Sequence, residues 1–374
     1  MLNTWKRFAI PAATPVLLNL CWILAAWLGS PIFERHGIEP IYALAFGVMV
    51  GGVLQLVVQI WALARLQMLP RIGLRLSAIR SAWAHPTVGR VLRNMAPAML
   101  GVSVAQLSLL INTQIASNIA VGAVSWLTYA DRLMEFPSAL LGVALGVVLT
   151  PQLSAAQARQ DAAAYSGLLD WGLRLALLLA APCAVALVVF AEPLVAVLYH
   201  YGRFQAVDVS KTALAVMGWG VGLLGIIGVK ILAPGYFARQ DMRTPVKVAI
   251  TVLVVTQLLN LLLVPWIGHA ALALSIGLGA LLNAGWLLLG LRRLGAYRPA
   301  AGWAGFAVRV LLATLALGLA LWWAGRSLDW IGLQAQPLQR AALMAAVLGG
   351  VALLYFAILW LAGLKLRQFV RRSM

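Results

Sequence analysis

Three charged residues inside an otherwise apolar region are the feature of this chain best suited to chemistry. Asp131, Arg132 and Glu135 lie in the run Thr128–Pro137, which leads directly into an apolar stretch. An ionisable side chain at membrane depth costs at least about 2.5–3.5 kcal/mol, and such residues usually mark the path of an ion or substrate. We therefore expect the cluster to serve an anionic cargo that crosses a membrane.

Arg132 is the strongest candidate for binding that cargo. Its guanidinium group is always charged and can bind a phosphate through two parallel hydrogen bonds. Glu135 follows one helical turn later, so it can pair with Arg132 and lower the cost of burial while the site is empty. Asp131 is expected to point elsewhere, nearer the membrane surface. The alternative is an ion pair that only holds two helices together.

Lys230 is the second candidate, within the apolar run Leu223–Gly235. Its amine could reach the inner membrane surface along the flexible side chain. It could instead face the cavity as a second cation for the cargo. The sequence leaves both possibilities open.

A short polar turn, Ala238–Lys247, separates two apolar runs. Asp241 and Arg243 can form local hydrogen bonds there, and Pro245 suits the first turn of the helix that follows. The turn is expected either to act as a hinge or gate, or to be a simple capped connection.

Catalysis finds little support in the residue types. The four histidines have no metal-ligand spacing, and no nucleophile elbow, P-loop or dinucleotide-binding glycine motif occurs. Cys21 and Cys183 are expected to pack as small apolar residues rather than to form a disulfide. We predict a protein that is not an enzyme and holds no metal or cofactor. Coupling to the membrane potential or to a monovalent cation is plausible, with Asn112, Asp241 and Thr256 as loose ligand candidates.

The composition indicates what must position these residues. The chain has 374 residues, of which 63% are hydrophobic, whereas soluble domains are about 45–50% apolar. Repeated apolar runs of about 20 residues, without strand-like alternation, indicate membrane-spanning helices. We predict an all-α polytopic membrane protein with about ten transmembrane helices, at 8–29, 41–64, 95–119, 133–153, 168–190, 212–237, 245–266, 269–291, 304–325 and 341–364.

The basic residues predict the orientation. Most of the 28 lysines and arginines border alternate loops, and the loops on the other side hold only Arg35, Arg203, Lys211, Arg326 and Arg340. This bias predicts a multi-pass protein of the bacterial cytoplasmic membrane with both termini in the cytoplasm. The net charge of +18 is expected to meet anionic lipids of the inner leaflet rather than nucleic acid, since the cations form no single patch interleaved with aromatic residues.

Two segments are predicted to lie on the membrane surface. Residues 65–93 place an arginine every few positions among apolar residues, which favours an amphipathic segment on the inner leaflet, with a solvated loop as the alternative. Residues 154–167 are rich in strong helix formers and are predicted to form a further interfacial helix.

Several motifs resemble the MurJ/MviN family of lipid II flippases. They are Leu2–Ala12, Asp131–Pro137, Gly142–Gly146 and Lys230–Lys247. The resemblance implies two six-helix lobes followed by two helices that form a groove for a lipid tail. This chain is similar to the family from its fifth helix onward: 1–93 with the last two helices of the first lobe, 94–293 as the second lobe, and 294–374 as the C-terminal helix pair.

The resemblance also implies a function. The cargo would be lipid II, an undecaprenyl-pyrophosphate-linked disaccharide pentapeptide, moved from the inner to the outer leaflet by alternating access. Arg132 is similar to a cavity arginine of the family's second lobe, and would bind the pyrophosphate or the head group with Glu135 and Lys230. The alternatives are a flippase for another polyprenyl-linked glycan, an integral-membrane enzyme acting on a polyprenyl phosphate, or a truncated copy that does not transport.

Overall fold

The computed structural model describes residues 9–67, Ser77, Ser81, Trp83 and 86–364. Every long regular element within these residues is a helix. The described residues up to Gly89 form one compact unit, and those from Arg90 onward form a second, larger unit. The predicted division of the chain into 1–93, 94–293 and 294–374 stays a prediction, because the fold does not test it.

The smaller unit is built on a helical hairpin. Helix α1 (Ala9–Leu24) continues through a π-helical turn, Ala25–Gly29, into α2 (Ser30–Arg35), and α3 (Ile41–Arg65) packs against it. A Cβ atom at Gly51 would lie 2.7 Å from Leu18 Cδ1, so the missing side chain allows α3 to approach α1 closely.

Ten α-helices lie in the described residues of the larger unit, and the first of them begins at Pro86, just before the unit itself. They are α4 (Pro86–Ile119), α5 (Ala123–Pro137), α6 (Ala144–Ala158), α7 (Ala162–Val189), α8 (Ala191–Tyr199), α9 (Ala206–Ala238), α10 (Arg243–Ile267), α11 (Ala270–Arg293), α12 (Trp303–Ser327) and α13 (Pro337–Leu361). A π-helical turn, Ser138–Val143, joins α5 to α6 directly after Pro137. Proline has no backbone N–H to donate, which is one cause of such irregularities.

The described part of the chain contains nine helical segments long and apolar enough to cross a membrane. Helix α4, which covers the predicted third span, is also present but is not among those nine. The prediction of an all-α polytopic membrane protein is confirmed. The two cysteines are free, as expected.

The boundaries of two predicted segments were wrong. The span predicted at 133–153 belongs to a longer helical segment, Ala123–Ala158, so Arg132 lies about 14 Å from its start at about 1.5 Å per residue. No separate interfacial helix exists at 154–167, because α6 ends at Ala158 and α7 begins at Ala162. Asp161 lies between these two helices and is the N-cap of α7. Its carboxylate accepts a hydrogen bond from the Ala164 N–H at 2.8 Å. Most of the predicted surface segment 65–93 lies outside the described residues.

Helix α9 forms the centre of the larger unit, packed between α7 and α11. Its contact with α11 depends on glycine: a Cβ atom at Gly222 would collide with the backbone of Gly277, and one at Gly218 would lie 2.8 Å from the Leu274 nitrogen. Small residues at this seam let the two backbones touch. The seam thereby fixes the position of Lys230 further along α9.

The C-terminal pair, α12 and α13, is attached to α7 and to the connection between α8 and α9 by polar contacts at several levels. Asp170 of α7 accepts hydrogen bonds from Tyr297 (3.0 Å), the Ala300 N–H (3.1 Å) and Trp303 (2.6 Å), and it pairs with Arg174 at 2.8 Å. Near the middle, the Tyr355 hydroxyl donates to the Leu178 carbonyl at 2.6 Å.

At the opposite end, Arg340 is fully buried, although the charge pattern had placed it in an external loop. Its guanidinium group lies 3.4 Å from the carbonyl oxygens of Trp330 and His200, and 4.8 Å from the ring centre of Tyr201. These contacts tie the start of α13 to the α8–α9 connection.

Candidate functional site

The predicted ion pair of α5 is present. Arg132 Nη1 lies 2.9 Å from Glu135 Oε2, three residues apart on one face of the helix. The two side chains are 66% and 58% exposed, so the chain itself does not enclose them. The guanidinium group is therefore held in place by Glu135 and still accessible to an anionic ligand.

Arg132 and Asp131 both line a cavity of about 460 Å³. Helices α4, α5, α9 and α11 form its walls, which include Asn112, Thr128 and Trp219. Contrary to the expectation that Asp131 points elsewhere, it shares this cavity with Arg132. The cavity is mainly apolar, with its charge concentrated on α5, and a ligand in it would meet the Arg132 cation beside the Asp131 carboxylate.

A network of amide side chains joins α4 to α10 behind this cavity. Asn260 donates to Asn112 Oδ1 at 2.8 Å and to Gln257 Oε1 at 3.2 Å. The network holds Asn112 in the cavity wall.

Lys230 crosses from α9 to the π-helical turn. Its Nζ atom donates to Ser138 Oγ at 2.7 Å and to the Ser138 carbonyl oxygen at 3.2 Å. The side chain fits because residue 142 is glycine: a Cβ atom there would lie 2.5 Å from Lys230 Cδ. Glu135 also attracts Lys230 electrostatically. Lys230 thus lies behind the Arg132–Glu135 pair, but it does not line the Arg132 cavity.

An apolar groove begins one residue after Glu135. It has a volume of about 330 Å³ and lies between α5, the π-helical turn, α7, α12 and α13. Phe136, Leu140, Leu321 and Tyr355 are among its lining residues, and Phe136 is 75% exposed. The ion pair and the groove are therefore adjacent positions on the same helix.

Asp241, Arg243 and Pro245 do not line the cavity. Asp241 caps α10: its carboxylate accepts from the backbone N–H groups of Arg243 (3.1 Å) and Thr244 (3.0 Å) and from the Thr244 hydroxyl (2.6 Å). Burial raises the pKa of Asp241, but these hydrogen bonds outweigh it and lower the pKa below its usual value. The turn is capped, and a role as a gate stays a prediction.

Sequence reasoning missed two groups of residues. Ser138 was not singled out, although a serine directly after Pro137 in a span is a signal for an irregular turn. Asp170 and Arg174, four residues apart in a predicted span, also formed a detectable pair. The partners of Asp170 at residues 297–303 could not be detected from the sequence, because more than a hundred residues separate them from Asp170.

Known proteins resemble the whole of this chain. A family model described as lipid II flippase MurJ matches residues 1–335. A lipid II flippase MurJ of Burkholderia cenocepacia is 55% identical over 374 residues, which is 100% of this chain and 71% of that protein. A probable lipid II flippase MurJ of Vibrio cholerae is 34% identical over 98% of this chain and 68% of its own length.

The fold is also similar to a solved structure, described as lipid II flippase MurJ in an inward closed conformation. The TM-score is 0.75 with 18% sequence identity, and the match covers 99% of this chain and 70% of that one. At this identity the similarity shows the fold alone.

Proposed function

The chain belongs to the lipid II flippase MurJ family, and we propose that its second unit binds the head group of lipid II at Arg132 and the lipid tail in the groove that begins at Phe136. Members of this family are transporters rather than catalysts. The observation that carries the proposal is the direct succession along α5 of an accessible ion pair and an apolar groove.

The head group would engage Arg132 first. A pyrophosphate is a better partner for a guanidinium group than one carboxylate, because it offers several anionic oxygens for a bidentate contact. Glu135 would then be released from Arg132, and Lys230 is the cation that already attracts it. Asp131, in the same cavity wall, would repel the phosphate from one side and so restrict where it binds.

The tail would lie in the groove between α5, α7, α12 and α13. Its volume of about 330 Å³ and its apolar lining suit a stretch of polyprenyl chain rather than the whole. Attachment of α12 and α13 to α7 and to the α8–α9 connection through Asp170, Tyr355 and Arg340 keeps the groove wall in register with α5. Head group and tail would therefore move together with this unit during alternating access.

The proposed setting is the bacterial cytoplasmic membrane, with both termini in the cytoplasm. The charge bias between alternate loops supports this orientation. We also propose that transport is coupled to the membrane potential or to a monovalent cation. Of the candidate ligands, Asn112 lies in the amide network of α4 and α10, whereas Asp241 is occupied by its own turn.

Binding of lipid II to the purified chain tests the proposal. Wild-type protein, Arg132→Ala and Arg203→Ala would be titrated with lipid II in detergent, and growth rescue of a flippase-depleted bacterium would be scored in parallel. Arg203 is a matched arginine in the α8–α9 connection, outside the cavity. We expect only Arg132→Ala to weaken binding and rescue. Equal binding by all three proteins would refute the head-group assignment, and tighter binding of another polyprenyl-linked glycan would change the cargo.

A further inference from the structure

A second apolar crevice opens on another side of the larger unit. It has a volume of about 600 Å³, within the range of about 300–1,000 Å³ typical of small-molecule sites. Helices α7, α9 and α11 form its walls, and the loop before α12 forms one end. It shares no lining residue with the Arg132 cavity or the groove at Phe136.

The crevice exists because small residues line facing helices. Gly225 and Gly228 of α9 and Gly285 of α11 take part in its lining. A Cβ atom at Gly285 would meet no atom within 4 Å, so this position borders open space. The remaining walls are leucines and alanines, such as Leu177 and Leu281, which suit a hydrocarbon chain.

One end of the crevice is basic. Arg292, in the last turn of α11, is exposed and lines it, and Arg293 follows directly. No acidic residue takes part in the lining. Within the part of the chain that the structure describes, Arg292 forms no salt bridge. A ligand with an apolar chain and an anionic head would therefore match the crevice along its whole length.

The aromatic residues at the same end are rigidly held. Tyr297 and Trp303 line the crevice, and both donate to the Asp170 carboxylate, at 3.0 and 2.6 Å. Arg174 pairs with the same carboxylate and thereby neutralises it. The nearby acid is thus already occupied, and it leaves the charge of Arg292 available. Tyrosine and tryptophan at this level are the side chains that membranes favour beside lipid head groups.

We propose that this crevice binds one anionic phospholipid of the membrane, with an acyl chain lying along α9 between α7 and α11 and its phosphate on Arg292. Basic pockets between transmembrane helices recognise anionic lipid heads in this way. The site is independent of the lipid II site, because it uses other helices' faces and other cations. It places an ordered lipid against the loop that connects α11 to α12.

Native mass spectrometry of the purified 374-residue chain tests the proposal. The probes are phosphatidylglycerol and phosphatidylcholine with identical acyl chains, added separately. We expect retention of phosphatidylglycerol, and Arg292→Gln should weaken it about tenfold, as loss of one charge-assisted contact implies. Gly285→Leu should also reduce retention of phosphatidylglycerol, because a Cβ atom at this position meets no neighbour within 4 Å and the larger side chain takes up space in the crevice.

Two matched controls separate this site from general attraction. Arg293→Gln removes a neighbouring charge that does not line the crevice, and Gly349→Leu adds the same side chain at an open position of α13. Both should bind phosphatidylglycerol as the wild type does, and melting temperatures of all variants should agree. Equal loss in Arg292→Gln and Arg293→Gln would overturn the proposal. So would displacement of the phospholipid by undecaprenyl pyrophosphate, which would make the crevice a polyprenyl site.

Discussion

Arg132 and Glu135 form a salt bridge of 2.9 Å while more than half of each side chain stays exposed. An ion pair of this kind contributes little to stability, about 0–1 kcal/mol where solvent reaches it. Arg132 can therefore exchange Glu135 for another anion. An incoming phosphate can replace Glu135 at small cost, whereas a deeply buried pair would resist the exchange.

Substitution of Arg132 should separate charge from geometry. Arg132→Ala is expected to weaken lipid II binding at least about tenfold, because a hydrogen bond to a charged group contributes about 1.5–3 kcal/mol. Arg132→Lys keeps the charge but loses the two-pronged contact, so it should fall between wild type and alanine. Titration of the purified variants with lipid II measures both effects. Equal affinity of the lysine and alanine variants would contradict a role for charge.

A substitution at Gly142 should displace the Lys230 side chain without replacing the lysine itself. In Gly142→Ala the new methyl group would lie 2.5 Å from Lys230 Cδ, so the lysine must leave Ser138. We expect Gly142→Ala and Lys230→Met both to lower growth rescue of a flippase-depleted bacterium, because both remove the contact between Lys230 and Ser138. Gly349→Ala, at an open position in α13, is the matched control. Normal growth rescue by Gly142→Ala, with Lys230→Met inactive, would show that the Ser138 contact does not matter.

Of the carboxylates, Asp170 should contribute most to the stability of the folded protein. Its removal by Asp170→Ala leaves Arg174, Tyr297 and Trp303 without their common acceptor. Breaking a buried pair from one side costs about 3–5 kcal/mol, so the melting temperature in detergent should fall clearly. Asp161→Ala loses one capping bond, worth about 1 kcal/mol, and should be much milder. A similar loss in both variants would contradict the central role of Asp170.

Acid should loosen the connection between α8 and α9. Burial, and next the charge of Arg340, lower the pKa of His200 below 6.5. The unfolded chain then binds a proton that the folded chain excludes, so this stabilisation is complete above pH 6.5 and is lost as the pH falls toward the folded pKa. The melting temperature should therefore be lower at pH 5.5 than at pH 7.5.

His200→Gln should reduce that pH dependence while keeping the backbone contact between the residue 200 carbonyl and Arg340. Part of the dependence should remain, because burial also lowers the pKa of His269. An unaltered profile in His200→Gln would exclude His200 as the group that titrates.

Patterns along the chain were sufficient to predict the class of protein and its local geometry. Long apolar runs have to be helices in lipid, because backbone groups there need partners within their own segment. The Arg132–Glu135 pair follows from the helical period, and the cap at Asp241 from residues adjacent in the chain. Predictions of this kind succeed because the interacting groups lie within about one turn of each other.

Contacts between residues far apart in the chain could not be predicted in this way, because they depend on the packing of the helices. Lys230 could have reached the membrane surface or a cavity, and packing of α9 instead placed it on Ser138, in a turn that breaks the helical period. Asp131 was placed in the same cavity as Arg132 by the position of α4, and Arg340 was buried by the connection around His200. These contacts depend on how helices far apart in sequence pack together, and side-chain spacing along one helix contains no information on that.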